Sequence, residues 1–116
     1  MKKILAIAAL TLTTAIASAH ARLQASTPSE GATVNPAPAE LRLQFNEAVE
    51  TAMSSVRLTG PGDAPVSTEK VAADPKDDKT LVLTLPALAP GDYRAQWNTM
   101  GHDGHHTKGE IRFSVK

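Results

Sequence analysis

The sequence predicts an all-β protein, a β-sandwich or small barrel of Greek-key type that forms a single domain. Five short runs place apolar residues at every second position, which is the period of a strand with one buried face. Segments rich in proline, glycine and aspartate separate these runs, as turns separate strands. After residue 23 the chain shows no sustained helical stripe, internal repeat or linker. Regular short strands joined by such turns favour a sandwich or barrel.

The five runs supply the expected core. Their inward residues are Leu41, Leu43 and Phe45, then Val56 and Leu58, then Leu81, Leu83 and Leu85, then Tyr93, Ala95 and Trp97, and finally Ile111, Phe113 and Val115. Turns are expected at residues 27–31, 35–40, 60–65, 74–79 and 86–93, and residues 48–55 allow a helical turn or two. With only four aromatic residues in the chain, this core is lean.

The first 19 residues have the three parts of a secretory signal. A basic opening, Met1–Lys3, precedes an apolar stretch at residues 4–16 and the small residues Ala17–Ala19. The alternative, a membrane anchor, is disfavoured because spanning a bilayer takes about 20 apolar residues. We therefore expect cleavage after Ala19, a mature domain of residues 20–116, a periplasmic location and no membrane insertion after cleavage.

Composition narrows the function of the mature chain. Its 97 residues are enough for one small domain, and the loss of Lys2 and Lys3 leaves 10 basic against 12 acidic residues. This slightly acidic balance disfavours nucleic acid as a partner. The chain has no cysteine, so any metal must be held by nitrogen, carboxylate or thioether ligands. We expect a monomer.

His20 is the first candidate metal ligand. Cleavage after Ala19 would give it a free α-amine beside its imidazole, and the two nitrogens can close on one metal ion as a chelate. An α-amine titrates near ~7.7–8.0, so a divalent metal displaces its proton at modest cost. Two such nitrogens suit Cu(II), which prefers square-planar or tetragonal sites. The alternative is a histidine that stands at the cleavage junction by coincidence.

The other three histidines lie together in the segment "MGHDGHHTKG", residues 100–109. Asp103 and His105 are two residues apart, and in an extended segment such residues point to the same side. Gly101 and Gly104 allow the backbone to bend and aim them. We expect this segment to be a loop at the rim of the sheet that completes a Cu(II) site with His20.

His102 and His106 do not fit this set, because the same alternation turns them away from Asp103 and His105. The alternative for the whole segment is a solvated, glycine-rich hairpin loop without a ligand. The metal site is favoured because all four histidines fall at two places in the chain, and because cleavage would give one of them, His20, a free α-amine.

The chain resembles the CopC family of periplasmic copper-binding proteins over residues 19–116. The family's mature chains begin with a histidine in a segment like "HARLQASTPSEGATV" here. A second motif is matched by "PAELRLQFNEAV", with Pro38, Leu41, Leu43, Phe45 and Glu47. A tryptophan strand and a D-G-H loop follow in "YRAQWNTMGHDGHHTKGEIRFSV". The order and spacing of these motifs together make the resemblance specific.

The resemblance implies an immunoglobulin-like Greek-key β-sandwich with Cu(II) bound at one end. Its ligands correspond to His20 (amine and imidazole), Asp103 and His105, with Glu47 as a nearby or weak axial carboxylate. For Glu47 the alternative is an exposed glutamate without a role. The resemblance also implies an inner-membrane copper transporter of the CopD type as a partner.

Two departures from the family pattern bear on the metal. Some members carry a methionine-rich loop for Cu(I), but the mature chain here has only Met53 and Met100, so we expect binding of Cu(II) only. His106 stands where proline is common, and His102 adds a nitrogen that the usual pattern lacks. Either can compete for the metal.

The function expected from the sequence is to bind, buffer or deliver Cu(II) in copper homeostasis or resistance, without catalysis. One alternative is a copper-dependent oxidase or monooxygenase, since lytic polysaccharide monooxygenases also use an N-terminal histidine. Against it, 97 residues with four aromatics leave little substrate surface, and Asp103 would occupy a position that oxygen chemistry needs. The other alternative is a metal-free exported β-sandwich that serves as an interaction module.

Overall fold

The computed structural model describes residues 20–116, so the expected signal segment and its cleavage lie outside the described residues. Nine strands form the domain: β1 (Leu23–Thr27), β2 (Ala32–Val34), β3 (Glu40–Phe45), β4 (Ser55–Thr59), β5 (Pro65–Val66), β6 (Ala72–Asp74), β7 (Asp77–Thr84), β8 (Gly91–Met100) and β9 (His106–Val115). Two short 3-10 turns, Thr51–Met53 and Pro61–Asp63, accompany them. Within residues 20–116 no helix has the length and apolar character needed to cross a membrane.

The strands form two sheets. One has the order β1-β3-β7-β6 and is antiparallel throughout, and the other has the order β2-β9-β8-β4-β5, in which only β2 runs parallel to its neighbour β9. The chain passes between the sheets several times, for example from β3 to β4 and from β7 to β8. The prediction of a single-domain, two-sheet β-sandwich is confirmed.

The core lies between the sheets and consists of the residues that alternate inward. All of the inward residues predicted from the sequence are buried except Val56, which is half-buried against the core. Phe45 of one sheet meets Trp97 of the other edge-to-face, with ring centroids 5.2 Å apart. Trp97 fits because its neighbour across the β8–β9 pair is Gly109, where a Cβ would lie 2.6 Å from a ring carbon.

The local predictions differ from the structure mainly at the sheet edges. The turn expected at residues 74–79 is shorter, because β6 ends at Asp74 and β7 begins at Asp77. Leu85 is buried as expected but follows the end of β7. The helical turn expected within residues 48–55 is the 3-10 turn Thr51–Met53. Four strands were not predicted. They lie at the sheet edges and are short or alternate weakly: β1, β2, β5 and β6.

Candidate metal centre

The predicted loop is the connection between β8 and β9 at one end of the sandwich. Met100 pairs with His106, so residues 101–105 form a tight loop. The Gly101 N–H donates to the carbonyl of His105 (3.1 Å), and the Gly104 N–H donates to the carbonyl of Gly101 (3.0 Å). Gly104 has φ +83°, a left-handed conformation that favours glycine. These bonds fix the direction in which the loop side chains point.

Asp103 and His105 meet in this loop, as the sequence predicts, but by a different geometry. The Asp103 carboxylate accepts the His105 backbone N–H (3.0 Å) and lies 2.9 Å from the His105 ring Nδ1. The two side chains therefore converge around a turn, whereas the sequence analysis placed them on one side of an extended segment. The difference arises because the chain reverses at Gly104.

The contacts with His105 also set the charge of Asp103. The hydrogen bond from the His105 side chain lowers the pKa of Asp103 below its ordinary value, and the bond from the His105 backbone N–H lowers it further. The carboxylate is therefore ionised at neutral pH and offers a negative oxygen to a cation.

His20 lies beside this pair, although it is 83 positions from Asp103 in the chain. One ligand atom from each of His20, Asp103 and His105 lies within 4.8 Å of the other two, and all three residues are exposed. The rings of His20 and His105 have centroids 4.7 Å apart and an interplanar angle of 81°. Three of the four predicted ligands are thus brought together at an open end of the sandwich.

The separation of the Asp103 and His105 donors matches that of two ligands on one metal ion. Donors at about 2.0 Å from a metal lie about 2.8 Å apart on adjacent corners of a square and about 4.0 Å apart on opposite corners. The 2.9 Å between His105 Nδ1 and Asp103 Oδ2 matches adjacent corners. A metal ion bound to both atoms would take the place of the contact between them.

Glu47, the fourth predicted ligand, is adjacent to this group without being a member of it. Within residues 20–116, the group whose ligand atoms all lie within 4.8 Å contains only the other three. A Cβ on Gly101 would be 2.8 Å from Glu47 Oε1 and 2.9 Å from Asp103 Oδ1. The two carboxylates therefore flank Gly101, and the glycine leaves the space in which they approach each other.

The two remaining histidines interact elsewhere. His102 Nδ1 lies 3.6 Å from an oxygen of Glu50, and His106 Nδ1 lies 3.3 Å from the side-chain oxygen of Asn98. Within residues 20–116, neither histidine belongs to the group formed by His20, Asp103 and His105. In the metal-free protein these two rings have partners of their own.

The residues that hold the His20 segment in place were not predicted from the sequence. Thr107 donates a hydrogen bond to the carbonyl of Ala21, and Asn46 bonds both backbone groups of Arg22. A polar side chain that bonds to a distant backbone leaves no periodic signal. Only the position of Asn46, directly before the candidate ligand Glu47, pointed towards the site.

Comparison with known proteins identifies the family of this fold. The family described as the CopC domain matches residues 23–116. The chain is 39% identical over 113 residues to protein YobA of Escherichia coli (strain K12), covering 97% of this chain and 91% of that protein. It is 38% identical over 114 residues to copper resistance protein C of Xanthomonas campestris pv. juglandis, covering 93% and 89%.

A solved structure extends the comparison to three dimensions. The crystal structure of CopC from Methylosinus trichosporium OB3b superimposes with a TM-score of 0.79 at 29% sequence identity, covering 84% of this chain and 94% of that one. The family match spans the whole sandwich, and two relatives above 30% identity cover nearly the whole chain. On this evidence the chain belongs to the CopC family.

Proposed function

We propose that this protein binds Cu(II) in the periplasm through His20, Asp103 and His105, and that it buffers the ion or delivers it to a partner. As a member of the CopC family it is a non-catalytic, copper-binding protein of copper resistance and transport. The single observation that carries the finer proposal is the convergence of the three side chains, whose ligand atoms lie within 4.8 Å of one another.

The donor set supports Cu(II) as the metal. Two imidazoles and an ionised carboxylate are the nitrogen and oxygen donors that Cu(II) accepts in a tetragonal site. Cu(I) prefers soft sulfur donors, and the only methionines within residues 20–116 are Met53, which is exposed, and Met100, which is half-buried in β8. The chain has no cysteine to add a thiolate.

Processing after Ala19 completes the proposed site. The α-amine of His20 would then become a fourth donor next to the His20 imidazole, giving three nitrogens and one oxygen. Members of the family are typically periplasmic, which agrees with removal of a secretory signal at this position. Glu47 is proposed as a weak axial ligand or as a nearby negative charge that attracts the cation, since it flanks Gly101 beside Asp103.

The exposure of the site supports a role in transfer. All three side chains are exposed at the end of the sandwich, so a partner's ligands can reach the ion while it is still bound. A catalytic copper centre, by contrast, needs a shaped surface for its substrate around the ion. The proposed partner is an inner-membrane copper transporter of the CopD type, which would accept copper by exchange of ligands at this open end.

A titration of the processed protein with Cu(II), followed by electron paramagnetic resonance, tests the proposal. We expect one equivalent to bind with a nitrogen-rich tetragonal spectrum, and we expect His105→Ala to weaken binding at least about tenfold. His106→Ala is the matched control, because it removes a histidine of the same loop whose ring contacts Asn98.

A variant with one extra residue before His20 tests the α-amine separately. It keeps the three side chains but converts the amine into an amide, which binds a metal less readily. Equal affinity in this variant and in the processed protein would exclude the amine as a ligand. If His105→Ala and His106→Ala bound Cu(II) equally well, the proposed site would be wrong.

A further inference from the structure

We propose that Thr107, supported by Thr99 and Asn46, is a positioning residue that holds the His20 segment against β9 before any metal binds. The inference rests on the proposed copper site, and it identifies what makes that site ready in the metal-free protein. None of these three residues belongs to the group of candidate ligands.

Thr107 connects the two parts of the chain that carry the candidate histidines. It lies in β9, two residues after His105, and its hydroxyl donates a hydrogen bond of 2.8 Å to the carbonyl of Ala21, the residue after His20. The contact bridges 86 positions of sequence. The strand that begins beside His105 is thereby tied to the backbone immediately after His20.

Thr99 supports Thr107 from the core. It is fully buried, it is the β8 partner of Thr107 in the strand register, and its hydroxyl oxygen lies 3.1 Å from that of Thr107. A hydroxyl has one proton to donate. Because the proton of Thr107 goes to the carbonyl of Ala21, Thr99 must donate to Thr107. The result is a short chain of hydrogen bonds from the core to the backbone of residue 21.

Asn46 holds the next residue along the segment. Its backbone N–H donates to the carbonyl of Arg22 (3.0 Å), and its side-chain oxygen accepts the Arg22 N–H (2.7 Å). The preceding residue, Ala21, is buried in the core with 1% exposure. Residues 21 and 22 are thus held by side-chain burial and by three hydrogen bonds, and His20 is the first residue beyond them.

This arrangement lowers the cost of binding the metal. If the segment before β1 were free, the ion would have to order several residues to bring His20 to Asp103 and His105, and that ordering would subtract from the affinity. With residues 21 and 22 already fixed, only the rotations of His20 itself remain. Preorganised ligands of this kind bind more tightly than the same ligands on a mobile segment.

The test compares Thr107→Val, Thr107→Ser and a control, Thr59→Val, in the processed protein. Valine keeps the shape of threonine but cannot donate to Ala21, whereas serine keeps the hydroxyl. Thr107 is half-buried, whereas Thr59 is buried, and the Thr59 hydroxyl contacts the carbonyl of Arg94 (3.4 Å), towards the other end of β8. The control therefore removes a buried hydroxyl from the same sandwich without touching the His20 segment.

We expect Thr107→Val to lose about tenfold in Cu(II) affinity, Thr107→Ser to stay within about twofold of the wild type, and Thr59→Val to be unchanged. Melting temperatures are measured alongside. If Thr107 had a purely structural role, its loss of Cu(II) affinity would be no larger than its loss of stability explains. If Thr107→Val bound Cu(II) as the wild type does, or if Thr59→Val lost as much affinity, the inference would be overturned.

Amide hydrogen exchange of the metal-free proteins gives an independent measurement. The Arg22 N–H should exchange faster in Thr107→Val than in the wild type and be unaffected in Thr59→Val. Unchanged exchange at Arg22 in Thr107→Val would contradict the positioning role even if its copper affinity fell. If the wild type itself bound no Cu(II), the proposed function would fail, while the exchange experiment would still decide whether Thr107 holds the segment.

Discussion

His105 Nδ1 lies 2.9 Å from Asp103 Oδ2, and the other oxygen of the same carboxylate accepts the backbone N–H of His105. Two candidate ligands are therefore in contact, at the separation that neighbouring donors take around one ion. A metal that enters this pair does not have to bring it together. It has to replace the contact between them, which makes binding depend on the charge of Asp103.

The first prediction concerns that charge. Asp103→Asn keeps the shape of the side chain but replaces the ionised oxygen with a neutral amide, so we expect Cu(II) affinity to fall at least about tenfold. Isothermal titration in the presence of a competing chelator measures the change. Asp78→Asn is the control, since Asp78 is an exposed aspartate on β7 in the other sheet. Equal affinity of Asp103→Asn and the wild type would remove Asp103 from the site.

A second prediction concerns Gly101, which the sequence analysis valued only for its flexibility. A Cβ at this position would come within 2.9 Å of both Glu47 and Asp103 carboxylate oxygens. The φ of Gly101 is not in the left-handed region, so alanine is compatible with the backbone itself. We expect Gly101→Ala to push the two carboxylates apart. Cu(II) affinity should fall by about fivefold, which is a loss of roughly 1 kcal/mol of binding free energy.

A double-mutant cycle with Glu47→Gln identifies which carboxylate transmits the effect of Gly101→Ala. If Glu47 takes part in binding, the two substitutions together should cost less than the sum of their separate effects, because each disturbs the same group. Strict additivity would indicate that Gly101→Ala acts through Asp103 alone, and an unchanged affinity of Glu47→Gln by itself would show that Glu47 takes no part in binding.

Whether a strand could be predicted from the sequence depends on its length and on how regularly its apolar residues alternate. β3, β7, β8 and β9 are long enough to alternate visibly, and their inward residues form the core. β2, β5 and β6 have three residues or fewer, too few for a period to be read. Although β1 has five residues, its exposure does not alternate, because it lies at a sheet edge and its register with β3 is irregular.

Some residues of the candidate site could likewise be predicted from the sequence, and others could not. Asp103 and His105 are neighbours in sequence, so their convergence is a local property that spacing and glycine content predict. The proximity of His20 was inferred from the unusual chemistry of a new chain end and from the family resemblance. Thr107 was invisible, since its partner is a backbone carbonyl 86 residues away and any polar residue at this strand position would look the same.

A third prediction tests the packing of the single tryptophan. Gly109→Ala would place a Cβ 2.6 Å from Cζ2 of Trp97, and a ring held between the sheets has little room to move. Overpacking of this kind costs about 1–3 kcal/mol, so the free energy of unfolding should fall by that amount. Urea unfolding followed by tryptophan fluorescence measures it. Lys108→Ala, which changes the exposed neighbour, should have little effect.

A fourth prediction follows from the lowered pKa of Asp74. The backbone N–H of Lys76 lowers the pKa of this carboxyl most, followed by the Arg42 guanidinium, to below its ordinary value of 3.8. A lowered pKa in the folded state means that the ionised group stabilises the fold above its unfolded pKa, and that this contribution disappears as pH falls through the folded value.

Asp74→Asn should therefore lower the melting temperature at pH 7 and have progressively less effect below about pH 4. Thermal unfolding of both proteins across pH 2–7 measures the difference. The control is Asp92→Asn, an exposed aspartate for which no comparable pair with arginine is present among residues 20–116. A difference between Asp74→Asn and the wild type that persisted unchanged to pH 2 would show that the carboxylate charge is not what stabilises this contact.

The fifth prediction separates a copper-binding protein from a metal-free interaction module with the same fold. A ligand that binds only the folded state at 1,000 times its dissociation constant stabilises that state by about 4 kcal/mol. For a domain of this size, each kcal/mol raises the melting temperature by roughly 4–8 °C, so Cu(II) should shift it by about 15 °C or more.

His20→Ala should lose most of this shift, because it removes one of the two parts of the chain that the ion joins. His102→Ala should keep it, since the His102 ring faces Glu50. A processed protein whose melting temperature did not respond to Cu(II) would have its three converging side chains for some other reason, and the metal-free module would then be the better explanation of the fold.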